Sequence, residues 1–277
     1  MPYVTVGQEN GQNIDIHFED HGQGQCVVLI HGYPLNGRSW ERQEAALLEA
    51  GYRVVSYDRR GFGQSSQPSG GYDYDTFAAD LDELLKHLNL NDVILAGFSM
   101  GGGEVARYLG RFGSGRIAKA IFASPVAPFL VKTGDNPEGV DKSVFDGIID
   151  AIRADRFAFL EGFFQNFYNV DVLKGGRISE AALHASFNVA AASSARAMLA
   201  CVPAWLEDFR SDVASIKIPT LIVQGDADRI LPIEATGARL PKLIEGSEFV
   251  VIKGGPHAIG WTHAEEFNAA LLAFIQK

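Results

Sequence analysis

Ser99 stands in the pentapeptide Gly97-Phe98-Ser99-Met100-Gly101, between the apolar run Val93-Ile94-Leu95-Ala96 and the helical stretch Glu104-Val105-Ala106-Arg107-Tyr108-Leu109. A strand that enters a helix through so short a corner holds a hydroxyl clear of the sheet. The flanking glycines let the two backbones pass where a Cβ would not fit. A serine hydroxyl is a weak nucleophile until a base takes its proton, so this arrangement requires a carboxylate and then a histidine further along the chain. Both are present. The apolar run Pro219-Thr220-Leu221-Ile222-Val223 leads into Gln224-Gly225-Asp226-Ala227-Asp228-Arg229, and Phe249-Val250-Val251-Ile252 leads into Lys253-Gly254-Gly255-Pro256-His257. His257 is the candidate base, and Asp226 and Asp228 are both candidates for the carboxylate that orients it. A fourth element follows the run Val27-Val28-Leu29-Ile30: the turn His31-Gly32-Tyr33-Pro34, whose backbone amides face the space above the sheet. The Tyr33 and Met100 N–H groups are the expected pair of oxyanion donors, with His31 as scaffolding. Together these parts predict acyl transfer through a covalent serine intermediate.

The remaining titratable residues offer weaker chemistry. His17 and His21 are four apart, but the segment alternates like a strand, which separates them by roughly 13 Å, too far for one ion. His87 and His184 fit helix surfaces. His263 opens the last helix, with Thr262 as its expected cap. No cluster has metal-ligand spacing, so no metal is expected. Gly101-Gly102-Gly103 lacks the lysine and hydroxyl of a phosphate loop, and Arg60-Gly61-Phe62-Gly63 lacks the third glycine of a dinucleotide fingerprint. Cys26 and Cys201 are 175 positions apart in apolar patterns, and both are expected to be buried thiols.

Three strand ends must deliver these groups to one place. Apolar runs at 26–30, 53–57, 93–97, 117–123, 219–224 and 248–252 alternate with helical patterns at 39–50, 75–88, 100–112, 234–240 and 264–275. Such alternation predicts an α/β fold with crossover connections, helices on both faces and a mostly parallel sheet. Residues 3–6 and 13–20 alternate as an antiparallel hairpin at its edge. With the hairpin, the expected sheet has eight strands. In open sheets of this kind ligands collect outside the carboxyl ends of the strands, where the serine, the acid and the histidine all fall.

The alternation breaks between about 125 and 215. We expect a core formed by 1–125 and 216–277 and a helical cap inserted at 126–215. The cap is dense in aromatics, of which Phe129, Phe145, Phe159 and Trp205 are candidates to line an apolar pocket above Ser99.

Over most of its length the chain resembles the α/β-hydrolases, and within them the cofactor-free haloperoxidase, aryl-esterase and γ-lactamase group. The resemblance rests on His31-Gly-Tyr-Pro-Leu35, Ser39-Trp40-Glu41, Tyr57-Asp58-Arg59-Arg60-Gly61-Phe62-Gly63, Gly71-Tyr72-Asp73-Tyr74-Asp75-Thr76-Phe77, the serine pentapeptide, and Pro256-His257 through Trp261-Thr262-His263-Ala264. Asn136–Val140, Asn166–Asn169 and Trp205–Arg210 are especially similar to the lactamase branch. The resemblance implies a serine esterase without metal or other cofactor that also uses hydrogen peroxide, with γ-lactam opening as the alternative main activity. It favours Asp228 as the triad acid and leaves Asp226 as a turn residue bonding its own backbone. Relatives that act as dehalogenases or epoxide hydrolases carry an aspartate at the elbow, which Ser99 opposes. A low-turnover ligand receptor on the same fold is the reading from another class.

Composition limits the partners. The chain has 277 residues, 47% hydrophobic and 21% charged, within reach of one core. Its net charge of -10 and lack of a basic block oppose nucleic acid binding. The N-terminus lacks the pattern of a secretory signal, and no run of about 18 apolar residues could span a bilayer. We therefore expect a cytoplasmic enzyme, possible as a homo-oligomer, acting on a small ester, amide or peracid-forming carboxylate.

Overall fold

Continuous apolar runs form the middle of the sheet, because strands covered on both faces have no polar side to present. The computed structural model describes residues 2–277. Strands β3 (Cys26–Ile30), β5 (Val93–Phe98) and β7 (Thr220–Gly225) are buried at every position, whereas the edge strands β1 (Tyr3–Glu9) and β8 (Glu248–Ile252) are only partly covered. With β2 (Gln12–His21), β4 (Arg53–Tyr57) and β6 (Ile117–Ala123) they make one eight-stranded sheet in the order β1-β2-β4-β3-β5-β6-β7-β8. From β4 onward across that order all pairings are parallel, while β1–β2 and β2–β4 are antiparallel. The edge hairpin turns on Asn10 and Gly11, both at positive φ, the geometry a two-residue turn between twisted strands requires.

β4 lies on one side of β3 and β5 on the other, so the chain changes direction at β3. This switch point opens a crevice between the loop after β3 and the corner after β5, whose ends are in register at Ile30 and Gly97. The helices between the strands up to β6 are α1 (Glu41–Glu49), α2 (Tyr74–His87) and α3 (Met100–Phe112), and after β8 come α9 (Ile259–Thr262) and α10 (Ala264–Ile275). α2 starts where the Asp73 side chain accepts the Thr76 N–H, and it buries Phe77, Leu81, Leu84 and Leu85 along one face.

Between β6 and β7 come α4 (Lys142–Phe167), α5 (Val170–Leu173), α6 (Glu180–Ala191), α7 (Ala195–Ala204) and α8 (Arg210–Ala214). α4 breaks at Asp155, which leaves helical geometry and uses its carboxylate to cap the Phe157 and Ala158 N–H groups. One expected helix is different. Residues 234–240 form no α-helix but two 3-10 turns, Ile233–Ala235 and Gly237–Lys242, interrupted at Thr236. Pro241 lacks the N–H that an α-helix would use there, and the Thr236 hydroxyl and Gly237 N–H bond Gln224 instead. Among the described residues no single helix is long and apolar enough to cross a membrane. Cys26 and Cys201 are free and buried, and burial pushes both thiols up to about 12.

Candidate active site

Ser99 sits between β5 and α3 with φ 56° and ψ -116°, a conformation non-glycine residues avoid. The corner is tight enough to dictate its neighbours. A Cβ on Gly97 would lie 2.3 Å from the Gly101 carbonyl oxygen, and one on Gly101 would lie 2.4 Å from that of Ile30. The bonds Ser99 N–H to Ala123 O (2.8 Å) and Gly102 N–H to Ser99 O (2.9 Å) hold the turn, and the hydroxyl faces the crevice.

His257, in the loop after β8, approaches from the other side. Its Nε2 is 2.8 Å from Ser99 Oγ and its Nδ1 is 2.8 Å from Asp228 Oδ2. Asp228 can only accept, so Nδ1 carries the proton and Nε2 offers its lone pair to the serine hydroxyl. Asp228 is itself fixed: Oδ1 accepts the Ile230 and Leu231 N–H groups at 2.9 Å each, and Oδ2 also accepts Gln224 Nε2 at 3.2 Å. The imidazole ring is buried, with the Phe98 ring 5.0 Å and the Phe167 ring 5.2 Å from its centre.

The structure thus brings Ser99, His257 and Asp228 into one hydrogen-bonded chain and leaves Asp226 outside it. Asp226 does not bond its own turn. Its Oδ1 accepts the Gly254 N–H at 2.6 Å, tying the loop after β7 to the loop that carries His257. The Ala227 N–H to Gly255 O bond (3.0 Å) adds a second tie, and Gly225 passes so close to Gly255 that a Cβ would meet its carbonyl oxygen at 2.0 Å. An aspartate that pairs with a backbone 28 residues away cannot be told from a local turn former by spacing alone.

Across the crevice, the turn after β3 packs directly on the elbow: a Cβ on Gly32 would meet Phe98 Cδ1 at 2.7 Å and Ser99 Cβ at 2.9 Å. Neither the Tyr33 nor the Met100 N–H has an acceptor among the described residues. Two unpaired donors beside a nucleophile suit a developing oxyanion. His31 lies behind this turn. Its Nε2 accepts the Arg59 N–H at 2.9 Å and its Nδ1 is 2.9 Å from Gly32 O, so the ring is neutral with the proton on Nδ1. Burial, then the Arg59 charge, holds it well below the usual histidine range.

A cavity of about 600 Å³ opens from Ser99 toward the helices between β6 and β7. Phe145, Phe159 and Trp205 line it, together with Tyr33 and Met100. Phe129 does not. Its ring lies under the Arg210 guanidinium, 5.0 Å from ring centre to Cζ, and its carbonyl accepts from Asn136 and Arg239, away from the cavity. The sequence reading missed Phe163, whose ring meets Tyr33 edge-on, and the polar pair Asn166 and Arg229. Among the described residues Arg229 is the one charged side chain on the wall, and it is held by Asp171 at 2.7 Å. Phe163 and Asn166 fall one turn apart on α4 after Phe159, a periodicity that marks the cavity-facing stripe once the helix is known.

The other histidines stay apart from this site. His17 meets Asp58 (3.4 Å) and His21 meets Glu44 (3.8 Å), and His87 and His184 are exposed. Thr262 does not cap α10: its hydroxyl donates to the carbonyl of Ala258, the residue before α9, and pairs with His263 Nδ1 at 2.9 Å. Among the described residues no group of three or more His, Cys, Asp or Glu side chains could hold a metal.

Comparison with known proteins bears on this arrangement. A family model described as the alpha/beta hydrolase fold matches residues 25–264. A Synechocystis sp. protein assigned by name to the non-heme chloroperoxidases is 64% identical over 276 residues, covering 100% of both chains. A bifunctional esterase/perhydrolase of Acinetobacter calcoaceticus is 33% identical, again over 100% of each chain. Among solved structures, a bromoperoxidase from Bacillus anthracis superimposes with a TM-score of 0.96 at 47% identity, covering 99% of both chains.

Proposed function

The chain belongs to the α/β-hydrolase fold family, and from that premise we propose that it hydrolyses small carboxylic esters through an acyl-enzyme on Ser99, with hydrogen peroxide able to replace water. The observation that carries this reading is the unbroken line from Asp228 through His257 to Ser99, ending beside two unpaired amides at the floor of an apolar cavity.

In this mechanism His257 Nε2 takes the Ser99 proton as Oγ attacks the ester carbonyl. The carbonyl oxygen becomes an oxyanion held by the Tyr33 and Met100 N–H groups, and Asp228 stabilises the imidazolium. The imidazolium returns its proton to the departing alkoxide, leaving an acyl group on Oγ. Water then gives a proton to His257 and attacks the acyl carbon, releasing the acid and restoring Ser99. If hydrogen peroxide attacks instead, the product is a peracid. That peracid oxidises bromide or chloride in solution to hypohalous acid and returns to the carboxylic acid, so halogenation follows from acyl chemistry at the serine. A free carboxylic acid can enter the cycle by acylating Ser99 with loss of water, which makes acetate and peroxide sufficient.

We assign residues 126–215 the role of a cap that shapes the acyl and alcohol sites through Phe145, Phe159, Phe163 and Trp205. The two unpaired buried thiols suit a cytoplasmic setting. The test is halogenation of a dye by bromide and peroxide with and without acetate. Product is expected only with acetate and not in Ser99→Ala. Halogenation without any carboxylate, or surviving in Ser99→Ala, would overturn the reading. Running an aryl ester and a bicyclic γ-lactam on the same preparation ranks the two hydrolytic activities.

A further inference from the structure

Beneath the elbow lies an ion pair that none of the steps above uses. Arg59, just after β4, and Glu104, in the second turn of α3, have side chains 1% and 0% exposed. Arg59 Nε and Nη2 lie 2.8 and 2.7 Å from Glu104 Oε2, and the Tyr57 hydroxyl donates to Oε1. Burying two full charges is costly, and a well-packed apolar pair is often as stable or more so, so stability alone is a poor reason for it.

What the pair touches supplies another reason. Arg59 grips His31 twice: Nη2 donates to the His31 carbonyl at 3.0 Å and the backbone N–H donates to His31 Nε2 at 2.9 Å. Two residues on from His31 is Tyr33, whose N–H is one oxyanion donor. Glu104 is part of the helix whose first residue, Met100, carries the other. The Met100 carbonyl is held as well, accepting the Tyr74 hydroxyl at 3.1 Å. The turn after β3 and the elbow after β5 are therefore bolted together through one guanidinium fork and one carboxylate. One rigid guanidinium thus bonds Glu104 through Nε and the His31 carbonyl through Nη2, which fixes the distance between the two elements as apolar packing of equal volume does not.

We propose that Arg59 and Glu104, supported by Tyr57, are positioning residues that set the spacing between the Tyr33 and Met100 amides. The inference rests on those amides forming the oxyanion site, and the test separates the two ideas. Phenylboronic acid is the probe: the Ser99 oxygen bonds to boron, the hydroxyl proton passes to His257, and a boron-bound oxygen takes the oxyanion position. Labelling with [15N]methionine reports the Met100 backbone amide, identified as the signal displaced by Met100→Leu. In the wild-type enzyme the Met100 signal shifts when boronate binds. If it does not, the oxyanion assignment itself fails.

Arg59→Lys keeps the charge but loses the fork, and Arg59→Met/Glu104→Met keeps the volume and removes both charges. The second is expected to fold even where the first does not. Each folded variant should lose about 30-fold in kcat on p-nitrophenyl acetate, part of the roughly 100- to 1000-fold that removal of one donor costs. KM should stay within about twofold, and the boronate inhibition constant should rise by the same factor as kcat falls. The boronate-induced Met100 shift should shrink in parallel. Tyr57→Phe, which loses one bond to Glu104, should show the same pattern at about threefold. A purely structural role would lower the folded fraction and kcat together and leave the boronate constant unchanged. That outcome, or wild-type kcat in the folded double variant, would overturn the proposal.

Discussion

Replacing Asp228 by asparagine changes one atom and, by the geometry of the loop, reverses the imidazole. The carboxylate receives four donors: Ile230 and Leu231 N–H on Oδ1, and His257 Nδ1–H with Gln224 Nε2–H on Oδ2. An asparagine has one acceptor oxygen to share among them. Facing it toward His257 would set the amide group against two buried backbone donors, each costing about 1–3 kcal/mol when left unsatisfied. The backbone cannot yield, so the oxygen stays on Ile230 and Leu231 and the amide turns to His257. Nδ1 must then accept, the proton moves to Nε2, and the nitrogen facing Ser99 can no longer take a proton. The expected loss is about 10⁴ in kcat, or roughly 5.5 kcal/mol of transition-state stabilisation, with KM for p-nitrophenyl acetate within about threefold because no cavity wall moves. Asp226→Asn keeps an oxygen for the Gly254 N–H and should stay within about threefold of wild-type kcat. Steady-state kinetics on both variants, with circular dichroism to establish folding, decides the matter. A folded Asp228→Asn within tenfold of wild type, or an equal loss in Asp226→Asn, would refute the reasoning.

The same geometry makes three further predictions. Gly97→Ala places a methyl group 2.3 Å from the Gly101 carbonyl oxygen and should cost at least about 3 kcal/mol in urea unfolding; a wild-type midpoint would show that the elbow can relax. His31 is held neutral by burial, so below pH about 6.5 the unfolded chain binds a proton that the folded chain refuses. Its contribution to stability is therefore present above that pH and is lost as pH falls, at about 1.4 kcal/mol per pH unit. Urea unfolding at pH 7 and pH 5 should show this loss, and His31→Gln should lessen it; an unchanged slope would contradict the assignment. Phe159→Ala should shift ester preference toward longer acyl chains by about tenfold in kcat/KM. Phe129→Ala, away from the cavity, should alter Tm and leave that preference unchanged.

Much of this was readable from the chain because the relevant signals are local. Val27–Ile30 and Val93–Ala96 are apolar at every position, which only a doubly covered strand requires, and the glycines around Ser99 mark a corner whose backbones nearly touch. The features that escaped depend on contacts distant in sequence. Whether 234–240 would be an α-helix was decided by Gln224, whose side chain bonds Thr236 and Gly237. The Asp226 carboxylate went to Gly254, not to its own turn, and Phe129 went under Arg210 and not over Ser99. Aromatic content marks an apolar segment but not the direction of each ring. Val140, Val144 and Ile148 on the cavity wall carry no signal that separates them from ordinary packing. Nothing in the spacing of Arg59 and Glu104 pairs them, since they meet only when the fold buries both.

The central claim is that Ser99 carries the acyl group during turnover. Rapid quenching of the enzyme in acid during hydrolysis of p-nitrophenyl acetate, followed by mass spectrometry of the digested chain, tests it directly. An acetyl increment is expected on the peptide containing Ser99, formed and lost at rates that support multiple turnovers, and absent from Ser99→Ala together with the activity. Full turnover by Ser99→Ala, or an acetyl group that accumulates on another residue and discharges at the rate of catalysis, would contradict it.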